Sequence, residues 1–146
     1  MINVVLVDDH VYIRKAIWYL LEITIDMRVV ATASNGQEGV MAVRFNRPDV
    51  VIMDISMPVM DGLEATRQIL KDFPDTRVLM LSSYDDQEFI RRTLESGASG
   101  YMVKEAIAGQ LLGAIRSLYN GRRYFCREII DKVGSYSEED SNSWAG

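Results

Sequence analysis

Residues 4–9 of the chain read VVLVDD, from Val4 to Asp9. The first four are apolar without a break, whereas a strand with one face in water would alternate apolar and polar residues. The unbroken run predicts a strand covered on both faces, which is typical of a parallel sheet flanked by helices. A helical period follows, because apolar residues recur every three or four positions from Ile13 to Leu21.

This pairing of a short apolar run with a helical period occurs five times along the chain. The alternation predicts an α/β fold with a parallel sheet between two layers of helices. Gly39 lies inside the second predicted helix, and we expect close packing on the sheet to account for it. The predicted strands are Val4 to Val7, Val29 to Ala33, Val50 to Met53, Val78 to Leu81 and Tyr101 to Val103.

The composition argues against several classes of function. The 146 residues include 16 Lys and Arg against 21 Asp and Glu, a net charge of −5, which disfavours DNA binding by this segment alone. One cysteine and one histidine allow neither an internal disulfide nor a zinc cage of His and Cys ligands. The single cysteine is consistent with a reducing compartment, so we expect a cytoplasmic protein. The first apolar run stops at Asp8 without a basic leader, so we expect neither a signal peptide nor a membrane span.

Four of the five predicted strands end in polar residues, which are Asp8 with Asp9, Asp54, Ser82 and Lys104. In a parallel sheet the carboxyl ends of all strands lie along one edge, where open α/β sheets bind their ligands. We therefore expect three carboxylates, one hydroxyl and one ammonium to share a pocket. Three close carboxylates repel one another unless a cation lies among them.

An all-oxygen ligand set selects a hard ion, and Mg²⁺ takes only one or two carboxylates while keeping several waters. One carboxylate then remains free to react. An aspartate can attack phosphorus and form an acyl phosphate when a metal and a lysine neutralise the charge on the transferring group. Ser82 and Lys104 would give that group a hydrogen bond and a positive charge.

Four segments together carry a resemblance to a known family: Val7 to His10, Val51 to Gly62, Leu81 to Ser83 and Gly97 to Lys104. Over about residues 2–121 the chain resembles the receiver domain of response regulators in two-component signalling. The resemblance implies a doubly wound, five-stranded parallel sheet in the order 2-1-3-4-5, the flavodoxin-like and CheY-like receiver fold. The Asp-Asp-His triplet and residues 115–124 look like the NarL/FixJ subfamily, whose members carry a helix-turn-helix DNA-binding domain after the receiver.

The resemblance also implies roles for single residues. Asp54 matches the phosphoacceptor, and Asp9, Asp54 and the backbone carbonyl of Ser56 match the Mg²⁺ site, with Asp8 alongside. Lys104 matches the lysine that holds the phosphate. The phosphoryl donor would be a sensor histidine kinase, and the domain would catalyse only its own aspartyl phosphorylation and dephosphorylation.

Ser82 and Tyr101 match the family's switch pair, in which the hydroxyl turns toward the new phosphate and the aromatic ring follows inward. That movement would reshape the surface around helix 4, strand 5 and helix 5 and could bring about a homodimer. Tyr84 is a further candidate, since it could shield the phosphate from water. Trp18 and Tyr19 lie off the apolar stripe of the first helix, so we expect one or both to be exposed or to pack at its side.

The chain departs from the family pattern in two places. Many receivers have proline after the lysine, but Glu105 follows Lys104 here, so we expect a trans peptide. We expect residues 1–121 to form the receiver and the 25 residues of 122–146 to form a linker or tail, too short for an output domain. DNA binding would then need an output domain outside this chain.

Three other functions are compatible with parts of the pattern. A haloacid-dehalogenase-like phosphatase also uses a strand-end Asp with Mg²⁺, but it has an acid/base Asp where this chain has Ser56. A receiver fold used as a phosphorylation-independent interaction module would not need the full acidic set. A flavodoxin would need a phosphate loop where Asp8 and Asp9 stand. We expect His10 to turn outward or pack rather than bind metal.

Overall fold

The computed structural model describes residues 1–83 and 87–130. Tyr84, the acidic pair Asp85 and Asp86, and residues 131–146 of the expected linker or tail lie outside the described residues. In the part described, no helix is both long and apolar enough to cross a membrane.

A single parallel sheet forms the centre of the molecule, with its strands in the order β2-β1-β3-β4-β5-β6. The α/β class and the order 2-1-3-4-5 are confirmed, and the described residues add a sixth strand, β6, beside the five that were expected. The strands are β1 (Ile2–Val7), β2 (Met27–Ala33), β3 (Val50–Asp54), β4 (Arg77–Ser82), β5 (Gly100–Val103) and β6 (Tyr124–Phe125).

Within residues 1–83 and 87–130, five helices connect the strands, as the periodicity predicted. Every residue of β3 and of β5 is buried, so both faces of the sheet are covered. The helices are α1 (Val11–Glu22), α2 (Gly36–Asn46), α3 (Gly62–Asp72), α4 (Gln87–Glu95) and α5 (Ile107–Tyr119), with a 3₁₀ turn over Lys104–Ala106.

The sixth strand arises from a segment that the sequence pattern predicted as linker. Tyr124 and Phe125 pair in parallel with Gly100 and Tyr101 of β5. Cys126 and Ile129 beyond them have no exposed surface and belong to the apolar core. Two residues are too few to display a strand period, and the pairing joins parts of the chain more than 20 residues apart, as the register of β5 with β6 records. The limits 1–121 and 122–146 stay predictions.

Glycine at position 39 has the packing reason that was expected. A Cβ built on Gly39 would lie 2.9 Å from Cγ1 of Val7, in the strand beneath α2. Any side chain there would push α2 off the sheet, which outweighs the helix propensity that glycine costs.

Helix α1 presents aromatic side chains to solvent. Trp18 is 46% exposed and Tyr19 is 63% exposed, so the expectation that at least one is exposed is confirmed. Ile17 and Leu21 form the buried stripe of the same helix.

Candidate functional site

The carboxyl ends of β1 and β3 place two buried carboxylates side by side. Val7 of β1 pairs with Met53 of β3, so Asp8 and Asp54 follow on adjacent strands. Each of these two aspartates is only 2% exposed. Asp9 comes next in the β1–α1 loop, and its side chain is 31% exposed. These three residues are the acidic cluster.

Lys104 reaches the acidic cluster from beyond β5. Its Nζ lies 3.4 Å from Oδ2 of Asp8 and 3.4 Å from Oδ1 of Asp54. The residue opens the 3₁₀ turn after β5, two strands away from β3, and its side chain is 12% exposed. The expected convergence of Asp8, Asp9, Asp54 and Lys104 at one edge of the sheet is what the structure has.

Asp54 is a strongly perturbed acid. Its pKa is raised from 3.8 to about 7, mainly by burial and then by the negative charge of Asp8, while Lys104 acts in the opposite direction. One lysine does not balance three carboxylates. The site therefore favours either a proton or an added cation.

Three carboxylate oxygens have the surroundings that a cation would satisfy. Oδ2 of Asp8, Oδ1 of Asp9 and Oδ2 of Asp54 are buried and have no hydrogen bond among the described residues, although nitrogens of Lys104 and His10 lie 3.2 to 3.7 Å from them. Buried polar atoms are nearly always paired, so orphaned oxygens in one place point to a ligand. Oxygen donors fit a hard divalent ion such as Mg²⁺.

The β3–α3 loop folds back tightly onto the end of β3. A Cβ on Gly62 would lie only 2.0 Å from the carbonyl oxygen of Asp54, so no other residue fits there. Asp61 caps α3 by accepting a hydrogen bond from the Glu64 amide at 2.9 Å. Ser56 lies exposed at the start of this loop, beside the acidic cluster in sequence. Val59 has a φ of 70°, which a β-branched residue rarely adopts.

Ser82 and Tyr101 lie on the neighbouring strands β4 and β5. Ser82 ends β4 and is 2% exposed, one residue beyond Leu81, the partner of Asp54 in the sheet. Tyr101 has no exposed surface. Both residues lie on the strands where the sequence predicted them, and their role as a switch pair stays a prediction.

The loop after Lys104 contains no cis peptide, so the expected trans bond before Glu105 is confirmed. Residues 104–106 form the 3₁₀ turn that leads into α5.

His10 is partly exposed and packs against the acidic cluster. Its side chain is 58% exposed, and its Nδ1 lies 3.0 Å from Oδ1 of Asp8 and 3.2 Å from Oδ1 of Asp9. The expectation that this ring turns outward or packs rather than binds metal stays a prediction. The signal for these contacts in the sequence was its position directly after two aspartates. Arg14 was missed, and its Nη1 donates to the backbone carbonyl of Asp8 at 2.6 Å.

Comparison with known proteins shows which family the chain belongs to. A family model described as the response regulator receiver domain matches residues 4–116. The chain belongs to this family.

Similar proteins resolve the type of receiver. The oxygen regulatory protein NreC of Staphylococcus carnosus is 38% identical over 146 residues, covering 97% of this chain and 67% of that protein. The response regulator UvrY of Escherichia coli is 41% identical over 133 residues, covering 91% of this chain and 61% of that protein. The receiver thus spans only about two thirds or less of these relatives.

A solved structure agrees with both sequence relatives. The LuxR-family two-component response regulator of Aurantimonas sp. SI85-9A1 superposes with a TM-score of 0.87 at 32% identity, covering 92% of this chain and 96% of that one. The chain is a receiver of the NarL type, as the Asp-Asp-His triplet and residues 115–124 predicted.

Proposed function

We propose that this receiver accepts a phosphoryl group on Asp54 from a phosphohistidine of a sensor histidine kinase. The observation that supports the proposal is the pair of contacts from Lys104 to Asp8 and Asp54, because they place a positive charge beside a buried carboxylate. Among the described acids, Asp54 is the one whose pKa is raised to about 7. Such perturbation is typical of groups that take part in chemistry.

The transfer step involves one bond made and one broken. An oxygen of the Asp54 carboxylate bonds to phosphorus while the phosphorus–nitrogen bond of the donor breaks, and the electron pair leaves on the imidazole nitrogen. Asp54 must be ionised to attack. Lys104 favours that form by its charge and then holds an oxygen of the new acyl phosphate, while Ser82 donates a hydrogen bond to another.

Asp9, Asp54 and the carbonyl of Ser56 would hold a magnesium ion, with Asp8 alongside. The three orphaned oxygens of the acidic cluster fit this role. Bound magnesium supplies positive charge against the phosphoryl oxygens during transfer. Asp8 and Asp9 themselves exclude competing anions from the site in the absence of a cation.

A groove beside the acidic cluster gives the donor a way in. It measures about 490 Å³ and lies between the β3–α3 loop and α4, with Asp9, Met57 and Arg92 among its lining residues. The kinase histidine would approach from this side.

A reducing cytoplasm is the compartment in which the buried free thiol of Cys126 would persist.

Phosphorylation would be read out at the surface formed by α4, β5 and α5. Ser82 and Tyr101 connect that surface to Asp54, and the acquired charge biases the packing around them.

The exposed Trp18 and Tyr19 of α1 offer contact area for a second copy of the chain. DNA would be bound only through an output domain of the kind that NarL-type regulators carry.

The direct test is incubation with acetyl phosphate and Mg²⁺, followed by intact mass measurement. The wild-type chain should gain one phosphoryl group, and Asp54→Asn should gain none. Lys104→Ala should be phosphorylated much more slowly, whereas Lys15→Ala, an exposed lysine on α1, should match the wild type. Phosphate found on Asp54→Asn would overturn the assignment.

Two further measurements separate the rival functions. Steady turnover of a phosphate ester would favour a haloacid-dehalogenase-like phosphatase, although that family's acid/base position holds Ser56 here. Equal binding of a partner by the wild type and by Asp54→Asn would favour a phosphorylation-independent interaction module.

A further inference from the structure

We propose that His10 is an additional, nitrogen ligand in the acidic cluster, so that this receiver binds first-row transition-metal ions such as Mn²⁺ and Ni²⁺ more tightly than Mg²⁺. The inference rests on the proposed function, because it requires that the carboxylates hold a divalent ion. The ligand atoms of Asp8, Asp9, His10 and Asp54 all lie within 4.8 Å of one another.

The spacing of these atoms is that of ligands around one ion. Neighbouring ligands of an octahedral ion with bonds of about 2.1 Å lie about 3.0 Å apart. Nδ1 of His10 is 3.0 Å from Asp8, 3.2 Å from Asp9 and 3.7 Å from Asp54, in each case to a carboxylate oxygen.

The tautomer of His10 decides how the ring nitrogen is used, since Nδ1 lies 3.0 Å from Oδ1 of Asp8 and 3.3 Å from Nζ of Lys104. With the proton on Nδ1, the ring donates to the carboxylate, and with the proton on Nε2, the Nδ1 lone pair is available to a cation. A divalent ion among the carboxylates favours the second form, because neutral imidazole binds metal through its free ring nitrogen.

The mixed ligand set determines which metal ions bind more tightly. Imidazole favours ions later in the first transition row, whereas Mg²⁺ prefers carboxylate, carbonyl and water oxygens. His10 should consequently matter for Ni²⁺ and Mn²⁺ and be dispensable for Mg²⁺. Because the ring is 58% exposed, it can turn away when an ion uses water instead.

The chain offers a clean variant for the test. His10 is the N-cap of α1, but its side chain makes no capping hydrogen bond, so His10→Ala should leave the helix intact. His10 is also the one histidine of the chain. In a preparation without a histidine tag, any imidazole signal at the metal must come from this residue.

The experiment combines pulsed EPR of bound Mn²⁺ with calorimetry of Ni²⁺ and Mg²⁺ at one fixed pH. Wild type and the control Val11→Ala should show ¹⁴N modulation from a directly bound imidazole, and His10→Ala should lose it. His10→Ala should weaken Ni²⁺ binding at least about tenfold, since even outer-sphere partners of a metal contribute about that much. Its affinity for Mg²⁺ should change less than about twofold.

Two results would overturn the inference while leaving the proposed function in place. One is Mn²⁺ bound without ¹⁴N modulation in the wild type. The other is an increase in affinity for both ions in His10→Ala, which would mean that the ring competes with the metal. Failure of the wild type to bind any divalent ion, or binding unaffected by Asp54→Asn, would instead remove the metal site itself and the proposed function with it.

Discussion

The middle of the sheet and its carboxyl edge are both buried, but they are built on opposite principles. In the middle, Leu79, Ile52 and Val5 are at most 1% exposed and are surrounded by other apolar side chains. At the edge, Asp8 and Asp54 are as deeply buried, yet each has an oxygen without a hydrogen bond among the described residues. The comparison teaches that the apolar middle stabilises the fold, whereas the buried carboxylates at the edge lower its free energy of unfolding but keep reactive groups in place.

The largest expected effect tests the middle of the sheet. Leu79→Ala removes a fully buried side chain from β4 and should lower the free energy of unfolding by about 2–5 kcal/mol. Urea unfolding followed by circular dichroism measures the loss. A loss below about 1 kcal/mol would mean that the core relaxes around the cavity, which would weaken the contrast with the edge.

Gly62→Ala tests whether the backbone at the edge is as tightly packed as the core. The new methyl group would meet the carbonyl of Asp54 at 2.0 Å, so the loop must shift, at a cost of about 1–3 kcal/mol or more. Gly113→Ala is the matched control, because nothing lies within 4 Å of its Cβ on α5, and it should stabilise by about 0.5–1 kcal/mol. Equal effects of the two variants on urea unfolding would contradict this account.

Asp54→Asn should raise the free energy of unfolding of the metal-free protein, whereas Leu79→Ala and Gly62→Ala should lower it. Because the pKa of Asp54 is raised from 3.8 to about 7, the folded state binds more protons than the unfolded state between these pH values. The stability that Asp54 contributes in its protonated form is therefore complete below about pH 4 and is lost as the pH rises to about 7. We expect a gain of roughly 1–2 kcal/mol above pH 7, less than the full shift implies because Lys104 and water screen the charge.

Urea unfolding at several pH values without divalent ions checks this result. The difference between Asp54→Asn and the wild type should grow as the pH rises toward 7 and then stay level. Asp75→Asn, at an exposed carboxylate, should show no such growth. Added Mg²⁺ should stabilise the wild type and not Asp54→Asn. A difference that is the same at every pH would speak against a raised pKa.

The smallest expected effect concerns strain in the β3–α3 loop. Val59 adopts a left-handed φ of 70° and is 76% exposed, so its side chain gives little packing in return. Asn tolerates this conformation better, and Val59→Asn should raise the free energy of unfolding by about 0.5–1 kcal/mol. Val59→Thr keeps the branched Cβ and should show no gain. Thermal unfolding of the pair provides the measurement, and equal melting temperatures would exclude the strain.

The sheet and the acidic cluster could be predicted because their signals are local and repeated. The unbroken run from Val4 to Val7 indicates a strand covered on both faces, and parallel strands bring their ends together whatever the helices between them contain. Asp54 and Lys104 could thus be placed in one pocket from sequence, although 50 residues separate them.

Other features depend on atoms that no local pattern specifies. The contact of His10 with Nζ of Lys104 at 3.3 Å joins residues that are 94 positions apart in the sequence. The left-handed φ of Val59 is imposed by the turn in which the Met60 amide donates to the carbonyl of Pro58 at 2.8 Å. β6 depends on backbone pairing with β5, and on the burial of Cys126 and Ile129 after it.

Strand β6 also covers what would otherwise be an open strand edge on β5. Cys126 donates its backbone amide to the carbonyl of Tyr101 at 3.2 Å, which occupies a group that a foreign chain could use. Unpaired edges of this kind are templates for aggregation. A fragment that ends at Gly121 would expose the edge of β5 and leave a cavity in the core. Aggregation of such a fragment would therefore reflect the missing strand and say nothing about signalling.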